Sequence, residues 1–350
     1  MKRLLLLLAL FLSLSAWAIE QDNDGYYLIG SAADWDEFAA IVHDSNPVAN
    51  AKMVADIDLG NDQTMLGYYN TGESDFNKAF KGVFDGQGYT LTVAYTDHGS
   101  NQLYTPISSI NGATIKNLHI AGFWVSGLTH AAFVANSWGT SIIEKVWNSA
   151  DITSDGLSWG ETAAFVGCMK GGNLTITDCH FSGTILGKRS YNGCFVGYID
   201  SGTTTLVNCL STGTITYYGS GNAFRGTHIN CYVKQFPATI PEEMQCTDEQ
   251  LADGTIATAL QAGREEEVWV QDTENGTPML KIFMQTSSML GDVNNDHSVD
   301  INDVTDMIDY VLGKPVTPFN EINANVCDDA TIDINDVTTL INFVLTGTWE

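Results

Sequence analysis

A phenylalanine returns at near-constant spacing through the middle of this chain. Phe133, Phe165, Phe195 and Phe224 lie 32, 30 and 29 residues apart. Their contexts are Ala-Ala-Phe-Val, Ala-Ala-Phe-Val-Gly, Gly-Cys-Phe-Val-Gly and Ala-Phe-Arg-Gly. Fourteen residues after the first three stand Trp147, Cys179 and Cys209, which reads as a second equivalent position. Each unit holds short β-rich runs separated by Gly, Ser, Asn and Thr. Apolar residues alternate with threonine around Leu174 and Ile176 and again around Ile215. A unit this small cannot bury a face by itself and must stack on its neighbour. The spacing therefore predicts a mostly β chain built on a parallel β-helix, a solenoid over residues 61–235. Phe is expected to stack on Phe, and Cys179 on Cys209, inside the coil.

The flanks differ from the repeat. Lys2 and Arg3 precede an apolar run from Leu4 to Leu12, and Ala16-Trp17-Ala18 offers a small-residue cleavage site. Residues 1–18 read as a secretory signal peptide, too short in its apolar part to span a bilayer. No Cys follows that run, since the first is Cys168, so no lipid anchor and no transmembrane segment is expected. The product is expected to be secreted, extracellular or associated with the cell surface. Residues 19–60 read as an N-terminal cap. Its helix spans about 31–43, with Ser31 as N-cap and Trp35, Phe38, Ala39 and Val42 on one face. A strand with Met53, Ala55, Ile57 and Leu59 pointing inward follows. Residues 236–284 read as a C-terminal cap over the last coil. It is expected to hold a helix near 248–262, opened by a Thr247–Gln250 capping box, and a strand from Pro278 to Phe283. Residues 285–289 form a link.

The chain carries 15 basic against 42 acidic residues, a net charge of −27. Such acidity repels nucleic acid and anionic lipid. It is concentrated at the end, where residues 291–350 hold twelve acids and one base, Lys314. Within 292–303, oxygen side chains occupy positions 1, 3, 5, 9 and 12 of a twelve-residue loop: Asp292, Asn294, Asp296, Asp300 and Asp303. The backbone carbonyl of Ser298 adds position 7. A hard cation such as Ca2+ takes six to eight oxygens from such a loop. Val304, Met307, Ile308, Val311 and Leu312 then give the stripe of an amphipathic helix. The unit returns 33 residues later, with Asn325, Asp329, Thr331, Asp333 and Asp336 as the second set. Val337, Leu340, Ile341, Val344 and Leu345 repeat the stripe. Cys327 replaces the oxygen at position 3, and His297 and Ala330 occupy the sharp turn where Gly is usual.

This duplicated loop and helix resembles a type I dockerin, a small all-α module with two EF-hand-like calcium loops, here covering residues 285–350. The resemblance implies calcium in each half and docking to a cohesin-bearing protein. It implies that positions 10 and 11, Ile301-Asn302 and Ile334-Asn335, help select that partner. The phrases Phe165-Val-Gly and Asn208-Cys-Leu-Ser-Thr-Gly213 resemble the GLUG motif of bacterial surface proteins, which points to architecture rather than chemistry.

A search for catalytic groups yields Asp151, Asp155, Asp178, His180, Asp200 and His228. Asp178 and His180, two apart, share a face if they lie on one strand. No carboxylate pair at glycosidase spacing emerges, and turn surface is the favoured reading of all six. Trp159, Tyr191 and Tyr218 recur at similar offsets from their Phe and form a possible glycan-binding strip; bracing of long turns is the favoured alternative. The seven Cys are an odd number, and their spacing reads as small buried side chains rather than a disulfide framework. The expected function is a secreted binding or scaffold-associated protein, docked through its calcium loops while the solenoid presents a ligand or glycan surface. The alternative is a glycoside hydrolase or polysaccharide lyase of a carbohydrate-degrading complex, an argument by family association alone.

Overall fold

The structure is a computed structural model. It describes residues 19–349 except 63, 68–77, 97–104, 127–129, 155–159, 189–190, 274, 285–289, 295–297, 317–318, 328 and 330, and except the side chains of His130 and Ile322. Residues 1–18, expected to be a signal peptide, lie outside the described residues, as do Asp155, Trp159, Asp296, His297, Ala330 and the link 285–289.

The centre is a parallel β-solenoid. One coil runs through the strands Val166–Met169, Asn173–Thr177, His180–Phe181, Thr184–Gly187 and Tyr191–Asn192. The next coil lies on it in parallel register, with Val166 against Val196, Asn173 against Thr203, His180 against Leu210 and Thr184 against Thr214. Alternation decides which residues face in: Leu174, Ile176, Ile185, Leu206 and Ile215 are buried in one continuous core. The expected phenylalanine column is there. Phe165 and Phe195 stack at 5.5 Å, Phe195 and Phe224 at 5.7 Å, and Phe133 is buried in the same core.

Two corners repeat up the stack. At the first, Gly139, Gly172 and Gly202 have φ of 62°, 85° and 88°. A Cβ on Gly172 would meet the Gly139 carbonyl oxygen at 2.2 Å, so glycine is required there. At the second, Asn117, Lys145, Asp178, Asn208 and Asn230 all sit near φ +50°. Asn and Asp tolerate this left-handed conformation better than other residues with a side chain. The residues that follow, Leu118, Val146, Cys179, Cys209 and Cys231, turn into the core.

Here the repeat reading needs one correction. Trp147 pairs with His180, and Cys179 is the equivalent of Val146. Between Ser137, which pairs with Met169, and Thr140, which pairs with Asn173, the later coil holds one extra residue. A one-residue shift in a strand sends the side chain to the opposite face. Trp147 therefore points outward, in a column with His119, His180, Leu210 and Tyr232.

The ends are covered differently. The helix Ala32–Asp44 closes the N-terminal end, its Ser31 side chain accepting from the Asp34 amide. Trp35, Phe38 and Val42 are buried, and Trp35 and Phe38 meet Phe84 at 5.7 and 6.3 Å. The strand expected from Met53 to Leu59 is split into Ala51–Met53 and Ile57–Asp58, and Ala55 is only half-buried. At the other end Phe236 packs on Tyr217 at 5.4 Å and Ile240 joins the core.

The rest of the expected C-terminal cap does not cover the end. Residues from Cys246 to Phe283 pack sideways, joining Leu210, Trp147 and Tyr232 of the outward column in a separate apolar cluster. The helix expected over 248–262 breaks into Asp248–Ala252 and Thr255–Gln261, because Gly254 adopts φ +82°. The expected strand stops at Leu280, and Lys281–Met284 is helical. The capping box of Thr247 and Gln250 is present.

The C-terminal unit has its own core of Val293, Val304, Met307, Ala324, Val326, Val337 and Leu340. Its main helices are Ile301–Val311 and Ile334–Thr346. Only part of each expected stripe is buried: Ile308, Val311, Leu312 and Leu345 are exposed. Among the described residues no helix is long and apolar enough to cross a membrane.

Candidate functional site

The two C-terminal loops close in the same way. Asp303 is fully buried, and one of its oxygens accepts from the Val293 and Asn294 amides at 2.9 and 3.3 Å. Its other oxygen accepts from the Asp300 amide at 2.8 Å. Asp336 is also fully buried and accepts from the Cys327 and Asp333 amides at 3.0 and 2.9 Å. In each loop the carboxylate at position 12 thus ties the start of the loop to the start of the helix. Asp300 and Asp333 cap those helices with nearly identical backbone, φ −141° and −143°. Ile301 and Ile334 are each 63% exposed, and the Asn302 and Asn335 amides donate to the two capping carboxylates at 2.7 Å.

The other proposed ligands are less gathered. Asp292 is buried near Asp303, while Asn294, Ser298 and Asp300 are half-buried or exposed. In the second loop Asn325 and Asp329 bond to each other, the Asp329 amide donating to Asn325 Oδ1 at 3.2 Å. Asp329 accepts from the Thr331 amide at 2.8 Å. Among the described residues no three His, Cys, Asp or Glu side chains are grouped to hold a metal. In the first loop the carboxylates of Asp292 and Asp303 are both buried. Burial above all, with the Asp292 charge beside it, lifts the Asp303 carboxyl to about 6 against three backbone donors. Positive charge placed there would relieve both effects.

The candidate acid–base pair is not an open site. Asp178 sits at the left-handed corner, and its Oδ1 accepts from Trp269 Nε1 at 2.9 Å and pairs with Arg264 at 2.7 Å. Both partners come from the sideways cap. His180 is buried beneath it, with Nε2 3.0 Å from Thr212 Oγ1 and no partner for Nδ1 among the described residues. His119 stacks on Trp147 at 3.7 Å, and Phe283 lies 6.1 Å from His119 and 5.9 Å from Trp147. Arg264, Trp269 and His119 did not emerge from sequence reasoning. The signal for them was the one-residue offset that turns Trp147 and His180 outward, where something must cover them. Asp151 and Asp200 are exposed, Asp200 lying 4.0 Å from Lys170, and His228 packs 5.5 Å from Phe224. These candidates do not converge.

Burial holds the His119 imidazole down at about 4 and His180 at about 3. Both are neutral in the docked cap and take up a proton more readily once it opens. Their contribution is present above the unfolded value near 6.5 and is lost as pH falls below it toward those lowered values. Cap opening, followed by hydrogen exchange at Trp269–Asp272, is therefore expected to rise steeply from pH 6.5 to 4. A flat profile would mean the histidines do not gate it.

Of the aromatic candidates, Tyr191 stacks on Tyr198 at 4.5 Å, and the Arg225 guanidinium lies 5.7 Å from its ring centroid. Tyr218 is 65% exposed, and its carbonyl accepts from Asn192. Tyr191 is thus braced by its own coil neighbours, which favours the bracing reading for that ring. Six cysteines are the buried free thiols expected, Cys168, Cys179, Cys194, Cys209, Cys231 and Cys246, while Cys327 departs from that reading as an exposed free thiol in the second loop.

No protein-family model matches this chain, and a search of curated proteins finds no match. Among solved structures the chain is similar to one described as a "putative immunoglobulin A1 protease" from Bacteroides ovatus, with a TM-score of 0.53 at 16% identity. The similarity covers 75% of this chain and 94% of that one. At that identity what the two share is the fold.

Proposed function

We propose that this is an exported binding protein whose C-terminal unit is a calcium-loaded dockerin that attaches it to a cohesin-bearing partner, while the solenoid presents a ligand or glycan surface. The observation that carries the reading is the repeated cap. Two loops 33 residues apart close with the same carboxylate hydrogen bonds and expose the same Ile-Asn pair at the same helix start. Solvated acidic loops with no shared purpose have no reason to match at that level. Calcium, when bound, supplies the positive charge these carboxylates lack. Asp292, Asn294, Asp300 and Asp303, with the Ser298 carbonyl and Asp296, would hold it in the first loop, and Asn325, Asp329, Asp333 and Asp336, with the Thr331 carbonyl, in the second. Exposed Ile301, Ile334, Ile308 and Leu312 offer apolar area for the partner. Asp178 and His180, the nearest to an acid–base pair, are covered by the cap and so lend nothing to the polysaccharide-active alternative, which rests on family association alone. Retention of the full chain on immobilised cohesins, in calcium and in chelator, tests the docking. Equal retention in both, or none on any cohesin, would sink it.

The two loops should not bind equally. The first offers oxygen at every side-chain position, and the second loses one to Cys327. Asp292→Ala with Asp303→Ala is expected to remove the tighter step of a calcium titration, and Asn325→Ala with Asp336→Ala to cost less. Cys327→Asn should tighten the second loop. At free calcium 100-fold above Kd, the intact first loop adds about 2.7 kcal/mol to the unit's stability. Loss of the tighter step in the second-loop pair alone would reverse the ranking.

A further inference from the structure

One loop holds chemistry that neither the C-terminal unit nor the sideways cap uses. Residues 58–64 read Asp-Leu-Gly-Asn-Asp-Gln-Thr. The loop is pinned to the first coils, the Ala94 amide donating to the Gly60 carbonyl at 2.6 Å and the Thr96 amide to Asn61 Oδ1 at 3.2 Å. It is pinned to the N-terminal helix as well, Trp35 Nε1 donating to the Thr64 carbonyl at 2.9 Å. Inside it, the Thr64 amide and hydroxyl both donate to Asp62 Oδ1 at 3.0 Å.

Asp36, one residue on from Trp35, brings its carboxyl within hydrogen-bond reach of Asp62 and Thr64. Its Oδ1 is buried and has no hydrogen-bond partner among the described residues. Beneath them ends the strand Thr90–Tyr95. Tyr95 is 0% exposed, and its hydroxyl also has no partner among the described residues, although it lies near enough to feel both carboxylates. Among the described residues no Lys, Arg or His forms an ion pair with Asp36 or Asp62.

Two adjoining carboxylates in a half-buried place cannot both stay charged without something positive between them. A shared proton would satisfy the pair, Asp36 lying within reach of Asp62 to share it, but would leave the Tyr95 hydroxyl unmatched. Buried polar atoms are rarely left so. A buried water could meet that hydroxyl only as a second guest beside the proton. A cation answers both needs. The side-chain atoms gathered here are oxygens, the donors a hard cation prefers over the softer metals that seek nitrogen or sulfur.

We propose that Asp36 and Asp62 hold a hard divalent cation of the calcium class at the N-terminal end of the solenoid, with the Tyr95 hydroxyl facing its coordination shell. The ion would fasten the helix Ala32–Asp44 to the first coils. This assignment does not rest on the docking reading.

The test is calorimetric titration of calcium chloride into the full, chelator-stripped chain, with melting followed by the solenoid's β signal. Asp36→Asn with Asp62→Asn is expected to bind one calcium fewer than the parent and to lose the rise in melting temperature that calcium gives the solenoid. Asparagine keeps the shape and removes the repulsion, so the variant folds without the ion. Tyr95→Phe keeps both carboxylates and is expected to weaken that step about tenfold. An unchanged calcium count in the double variant overturns the assignment. So does a double variant that melts higher than the parent in chelator and in calcium alike, which marks a shared proton only. The C-terminal loops are untouched in all these proteins. A failure of those loops would remove the same steps from parent and variants, and is distinguishable.

Discussion

Replacing Arg264 by alanine is expected to loosen the sideways cap by about 3–5 kcal/mol, the range found when one member of a buried ion pair is removed. The Arg264 and Asp178 side chains are 19% and 7% exposed and meet at 2.7 Å. Removal of the guanidinium leaves the Asp178 carboxylate in a dry place with Trp269 Nε1 as its remaining side-chain partner from the cap. Asp178 cannot turn away, because it is fixed at φ +52° in the corner of the coil. A control lies close by. Lys281 and Glu267 also meet at 2.7 Å, but both are well exposed, and Lys281→Ala should cost less than about 1 kcal/mol. Hydrogen exchange at Trp269–Asp272 and limited proteolysis after Cys246 read the opening directly. The phenylalanine column should be unaffected, since it belongs to a different core. If Arg264→Ala and Lys281→Ala open the cap equally, the buried pair is not what holds it.

Phe195→Ala should unsettle the solenoid itself. Its ring lies between Phe165 and Phe224, nearly parallel to both, with interplanar angles of 9° and 15°. Neighbours above and below are fixed by strand register, so the walls of the vacated space cannot collapse inward. The expected cost is about 3–5 kcal/mol, in the range for phenylalanine truncated in a rigid core. Phe224, at the last coil and slightly exposed, has a softer surround and should cost less. Urea unfolding of both variants, with the slope checked for constancy, gives the comparison. Equal costs would mean that the stack carries no more energy at its middle than at its end.

Much of this molecule was written in local pattern. Stacking of Phe165, Phe195 and Phe224 followed from a spacing that only superposed coils satisfy. The N-terminal helix followed from Ser31 and the positions of Trp35, Phe38 and Val42, and the two C-terminal helices from a loop pattern that occurs twice. These are periodicities and caps, set by residues close in sequence. Three things were not local. An extra residue in the corner around Gly171 and Gly172 moved Trp147 into line with His180, and a shift of one residue reverses a strand's faces. Gly254 divided the helix expected over 248–262 from its capping box, because a left-handed residue redirects the chain and leaves the cap intact. The placement of residues after Cys246 was decided by the outward column of His119, Trp147, His180, Leu210 and Tyr232. That apolar strip exists only once separate coils are stacked, so no stretch of sequence displays it. Asp178 shows the same division: its residue type suits a left-handed corner, but only the assembled cap brings Arg264 to it, across 85 intervening positions of the chain.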